Sequence, residues 1–155
     1  MRNIYNLYRE PQDSNYKAII DMTSKFASYF LVVIRYSVKM NKKAEIILNA
    51  LRPFIESSND CNEWPGTKLT NEFALVNVYN LNYKSLEIIK GSVSNLYDWL
   101  QPSLPEDICF LRADKSPFLV TISHEKDGYL ELYQREYNEL INTYPELGKL
   151  ININS

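Results

Sequence analysis

A single histidine, His124, supplies all the imidazole this chain has. A metalloprotease-type zinc site needs two histidines on one helical turn, so that chemistry is excluded. Cysteine is nearly as scarce. Cys61 and Cys109 are too far apart in sequence for a closely spaced metal pair. They can form at most one disulfide, and the plainer expectation is a reduced cytoplasmic protein. Glycine occurs four times, never as GxGxxG or GxxxxGK, which rules out a phosphate loop of either kind. No GxSxG elbow occurs either. Charge of one sign is also lacking. Seventeen basic and nineteen acidic side chains leave a net charge of -2, which excludes broad electrostatic binding of nucleic acid. The longest apolar run, Tyr29 to Ile34, falls far short of the roughly 20 residues of a membrane span. The start, MRNIYNLYREPQDSN, has no apolar signal-peptide core, so neither secretion nor membrane insertion is expected.

What is present is ordinary for a globular chain. Hydrophobic residues make up 45% and charged residues 23%, and 155 residues suit one domain with short frayed ends. Such a domain buries roughly two-thirds of its unfolded surface. Tyrosine is abundant, at twelve. Alongside many Asn, Ile and Lys it reads as an AT-rich coding bias before it reads as a binding surface. Some of these rings can still serve an interface.

The chain shows no repeat, low-complexity tract or linker. Asp13 or Ser14 is placed to cap a helix reaching about Ser28, with Ile19, Met22, Phe26 and Phe30 as its stripe. Phe30 to Ile34 reads as a strand buried on both faces. Asn41 is placed to cap a second helix to about Ile55, with Pro53 in its last turn. Ser57 to Thr70 reads as a polar loop, and the alternation of Phe73 to Tyr79 predicts a strand.

A third helix is expected over about Lys84 to Leu100, weakened by about 1 kcal/mol at Gly91. Asp107 to Arg112 and Phe118 to His124 form the best hairpin signal. A last helix is expected over about Leu130 to Thr143, stopping before Pro145, with a frayed tail from Ile151. The fold expected is α+β or α/β: one domain, a mixed sheet of about four strands, helices packed on it, and a C-terminal hairpin followed by a helix.

Four groups of residues invite a functional reading. His124 and Asp127, with Glu106 or Asp107, could ligate a metal, but with one histidine the simpler role is a hydrogen bond fixing the hairpin end. Cys109 with His124 could be a nucleophile and base. A turn closing between Ala113 and Ser116 sets Cys109 opposite Val120, leaving His124 about 13 Å away at ~3.4 Å per residue. Cys109 is then a small buried hydrophobe. The same register sets His124 opposite Pro105, beside Glu106 and Asp107, where a histidine–carboxylate contact would respond to pH.

In the third group, Trp64-Pro65-Gly66-Thr67 is a shaped turn that can present Trp64 as an interface anchor or fold it over the core edge. The fourth comprises Tyr97-Asp98-Trp99 and Tyr129 to Tyr137, which form either an acidic, aromatic face or a solvated helix face with ring edges in the core.

Leu96-Tyr97-Asp98-Trp99, Leu104-Pro105-Glu106-Asp107, Cys109-Phe110-Leu111-Arg112, His124-Glu125 and Tyr129-Leu130 resemble the motifs of a family of small uncharacterised bacterial proteins, as does Glu63 to Thr67 upstream. The family pattern runs EWPGT, LYDW, LPEDLCFLR, a DG turn, PWL and HExDxYL. Lys115 stands where that turn has Gly, and Phe118 where it has Trp. The resemblance implies a bacterial, intracellular domain and brings no activity and no catalytic residue.

In size and character such proteins resemble toxin-neutralising immunity proteins, by analogy alone. The expected function is therefore non-enzymatic protein binding in the cytoplasm, with a toxin as one candidate partner. Aromatic anchors at Trp64 and Trp99 and an acidic rim of Glu106, Asp107, Glu125 and Asp127 would meet a basic surface. Two alternatives stand beside it. One is a small-molecule binder or weak enzyme using His124, Glu125 and Glu106. The other is a structural homodimer subunit. No catalytic residue, cofactor, metal, nucleic-acid partner or membrane partner is expected.

Overall fold

The structure, a computed structural model, describes residues 1–153. Its centre is β2 (Tyr29–Arg35), where Phe30 and Val32 point to one side and Leu31 and Val33 to the other. All four are buried, as a strand with apolar residues at every position requires. On one side of β2 lies β7 (Glu106–Leu111), followed by β8 (Pro117–Ile122), β9 (Asp127–Leu132), β1 (Asn3–Leu7) and β10 (Ile151–Ile153). On the other lie β6 (Ala74–Asn80) and then β3 (Ile55–Cys61) at the edge. The sheet thus has eight strands, in the order β10-β1-β9-β8-β7-β2-β6-β3.

Every strand pairing among the described residues is antiparallel. The expectation of about four strands in a mixed sheet is corrected on both counts, and the fold is α+β. Four strands escaped the pattern for separate reasons. β3, IESSNDC, has almost no apolar alternation because it is an edge strand with little to bury. β1 and β10 are short, and β10 falls within the tail expected to fray. β9 buries Gly128, Leu130 and Leu132 on one face with a period of two, and its last three residues overlap the start of the expected last helix. That helix, α4, runs over Gln134–Thr143 instead. The last two residues of the expected tail lie outside the described range.

The helices α1 (Ser14–Phe26), α2 (Lys42–Leu51) and α3 (Tyr83–Ser92) join α4 on one face of the sheet. Tyr16, Ile20, Leu51, Ile89 and Leu140 meet Phe30, Tyr79, Phe110 and Leu130 in the main core. Asn41 caps α2 by accepting from the Ala44 N–H at 3.3 Å. That helix stops at Leu51, four residues before the expected end, where Pro53 enters a single 3-10 turn. α3 ends at Ser92 rather than Leu100, because Val93 is extended and the chain then needs an isolated turn at Leu96–Asp98.

Among the described residues the opposite face carries no α-helix. Its smaller core, including Leu31, Val33, Val76, Cys109 and Val120, is covered by a hairpin of β4 (Glu63–Trp64) and β5 (Thr67–Lys68). The hairpin lies within the stretch expected to be loop. Pro65 and Gly66 make its turn, and Gly66 has φ +88°. A Cβ at Gly66 would stand 2.9 Å from Val120 Cγ1, so glycine is required by both the turn and the close approach.

Candidate functional site

One end of the sheet gathers the chemistry. There β2 ends, β7 begins, β8 ends and the β4–β5 hairpin folds over. Successive side chains of a regular strand point to opposite faces, so Glu106 and Asp107 should diverge. The β2–β7 register shifts between Leu31 and Val33, and Asp107 adopts φ +55°. This bulge turns the two consecutive carboxyls toward one point. The 3-10 turn Ser123–Glu125, directly after β8, brings His124 to the same place. One ligand atom from each of Glu106, Asp107 and His124 lies within 4.8 Å of the others.

Asp107 is fully buried and Glu106 nearly so, whereas the imidazole is about half exposed. The Ser123 N–H donates to Asp107 Oδ1 at 2.9 Å, and the Trp64 indole N–H points to Oδ2 at 3.4 Å. Burial pushes the Asp107 carboxyl above its ordinary range, and these two donors offset only part of that. The Glu106 carboxyl is pushed up by burial and then by the neighbouring Asp107. Its ion pair with Arg35 spans 3.9 Å, too long to be a hydrogen bond. Arg35 lies over the Trp64 ring at 5.4 Å and reaches Glu72 at 3.7 Å.

The residues singled out in the sequence separate into two sets. Glu106, Asp107, His124 and Trp64 come together, and Glu125 adjoins them 3.9 Å from His124. Asp127 is exposed and its carboxylate accepts from the Gly128 N–H, outside the cluster. Trp99 contributes only its carbonyl, which accepts from the Asp107 N–H at 3.2 Å. Its ring lies in the main core with its N–H on Tyr16 Oη at 3.1 Å.

Both tryptophans are buried, Trp64 at 5% and Trp99 at 0% exposure, which corrects their expected role as interface anchors. Tyr97 is buried as well, so the Tyr97-Asp98-Trp99 segment is not an open aromatic face. Cys109 is buried and burial pushes its thiol up to about 12, so it is no thiolate nucleophile. Both cysteines are free thiols.

The structure adds three features to this set. Arg35 closes an otherwise apolar strand, and a cation at that position was a usable signal. Ser123 was indistinguishable from any turn serine. Tyr36 and Phe73 are 63% and 59% exposed, immediately beyond the Arg35–Ala74 pair of β2 and β6. Only their neighbours in space distinguish them from core aromatics.

Two carboxyls and an imidazole so placed can hold a cation, or accept and release protons. Among the described residues no helix is long and apolar enough to cross a membrane. Comparison with protein-family models, with curated proteins and with solved structures gives no match.

Proposed function

We propose that this is a non-enzymatic bacterial protein-binding domain acting in the cytoplasm, an immunity-like protein that would neutralise a toxin by occluding it. The observation that carries the reading is the pair of exposed rings, Tyr36 and Phe73, at the same end of the sheet as the carboxylate cluster. Large exposed aromatics just beyond the same strand pair are costly unless a partner covers them, and aromatic anchors dominate protein interfaces. Val38 adds apolar surface, and Glu63, Glu72, Glu125 and Asp127 are exposed. The partner surface is therefore basic with an apolar centre. The anchoring role moves from Trp64 and Trp99 to Tyr36 and Phe73. The bacterial and intracellular setting rests on the resemblance of the EWPGT, LYDW and HExDxYL motifs.

The test is affinity capture with the tagged protein in the native bacterium, in parallel with a Tyr36→Ala/Phe73→Ala double variant. The expected result is one stoichiometric partner, lost with the double variant while its melting temperature stays within a few degrees. Equal recovery by both proteins, or no partner, overturns the reading. The convergence of Glu106, Asp107 and His124 favours a second activity, binding of a small ligand at the strand end.

A further inference from the structure

We infer that Glu106, Asp107 and His124 form a binding site for one divalent first-row transition-metal ion, of which Zn²⁺ and Mn²⁺ are the fitting examples. The inference deepens the small-ligand reading and is independent of the Tyr36–Phe73 surface. The donor set is one imidazole nitrogen and two carboxylate oxygens, which suits Zn²⁺ or Mn²⁺ better than Mg²⁺ or Ca²⁺, whose sites are all oxygen. Two carboxylates also balance a dication.

Metal–ligand bonds of about 2.1 Å put tetrahedral ligand atoms roughly 3.4 Å apart. The three atoms lie within 4.8 Å of one another, so closing the site needs a movement of at most about 1.4 Å. The half-exposed His124 side chain, with space on its solvent side, is the group free to make it.

A second observation comes from the surrounding polar atoms. Ser123 is 1% exposed and its hydroxyl has no hydrogen-bond partner, although its own N–H holds Asp107. Arg35 Nε and Thr67 Oγ1 are likewise buried without partners, one beside Glu106 and the other paired across the hairpin with Trp64. Unsatisfied buried groups cost stability and call for an explanation where they cluster. Ser123 and Arg35 adjoin the two buried carboxyls, the first through its N–H on Asp107 and the second through its loose pair with Glu106, where a metal ion with its coordinated waters would bring polar partners.

Arg35 opposes the ion by charge. Its contact with Glu106 is loose, and Glu72 on its other side is placed to take the guanidinium. Three protein ligands leave at least one coordination position for water or for an anionic group of a ligand. The His124 ring stands at the opening, so exchange takes place from solvent.

The single histidine makes the test unambiguous, because every imidazole resonance belongs to His124. Metal-free full-length protein is titrated with ZnCl₂ by calorimetry, with MgCl₂ as the control ion. Proton NMR follows the imidazole signals during addition of Zn²⁺, and then of trace Mn²⁺ to fresh metal-free protein. The expected result is one equivalent of Zn²⁺ bound, shifted His124 signals and their broadening by Mn²⁺. His124→Ala, at a half-exposed position, keeps the fold and weakens Zn²⁺ binding at least tenfold. Glu106→Gln weakens it similarly, and Glu125→Ala leaves it unchanged. Absence of stoichiometric Zn²⁺ binding, or binding that survives His124→Ala, overturns the inference.

Discussion

The two ends of β7 bury carboxylates in opposite ways. Beyond its C-terminal end, Arg112 meets Glu136 of α4 through two parallel hydrogen bonds of 2.8 and 2.7 Å. A second proton donor, the Tyr133 N–H, reaches the same carboxylate at 2.9 Å, and the guanidinium lies over the Phe118 and Tyr133 rings at 5.1 and 5.3 Å. Burial works to raise the Glu136 carboxyl, but Arg112 and the Tyr133 N–H outweigh it and hold it below its ordinary range. At the N-terminal end, Glu106 has a cation only at 3.9 Å, and both Glu106 and Asp107 are held above theirs. A bidentate, hydrogen-bonded pair is a folding device. Adjacent buried carboxyls with incomplete partners are a liability to the fold, of the kind that marks a site.

The largest effect expected at the unsatisfied end comes from beneath it. Trp99→Ala removes the largest fully buried side chain, on whose carbonyl Asp107 hangs. It should cost about 4 kcal/mol in urea unfolding. A loss under about 1 kcal/mol would mean that the ring is not a core pillar.

The two arginines should respond unequally to lysine. Arg112→Lys destroys the fork and leaves Glu136 with a point charge, for an expected loss of about 2 kcal/mol. Arg35→Lys should change stability by less than about 0.5 kcal/mol, since no close hydrogen bond to Glu106 is given up. Equal losses would erase the distinction between the two ends.

Acid separates them by sign. Glu136 is depressed in the folded state, so its stabilisation is present above the unfolded carboxylate pKa and is lost as pH falls through the folded one. Glu106 and Asp107 are raised, so their ionisation costs stability above their folded pKa values. That cost is relieved as pH falls from there toward the unfolded values. A Glu106→Gln/Asp107→Asn variant should lose less stability, or gain it, at pH 7 relative to mildly acid pH when compared with the parent. Glu136→Gln should instead flatten the fall below the unfolded carboxylate range. Denaturant melts at several pH values read both slopes.

Legibility in the sequence followed burial. β2 could be read because five apolar residues in a row leave few other structures, and α2 because Asn41 starts a helical stripe. β3 could not, since its residues are chosen for an edge and its pairing to β6 is all that makes it a strand. The neighbourhood of His124 with Glu106 and Asp107 followed from hairpin register alone. What register could not supply was the bulge at Asp107, which turns two diverging carboxyls into converging ones. Nor could it supply the burial of Trp64 and Trp99. A tryptophan beside proline and acidic residues reads either as an anchor or as a lid on the core until the strand beneath it is known.

The most direct test is the unfolding free energy of Glu136→Gln set beside that of Glu106→Gln, in one urea series at pH 7. Glu136→Gln should lose about 3 kcal/mol, because Arg112 is left buried with its partner charge removed. Glu106→Gln should be neutral or stabilising by about 1 kcal/mol, because it removes a charge that burial disfavours. Equal, large losses from both would contradict the division of β7 into an end that holds the fold and an end that holds a ligand.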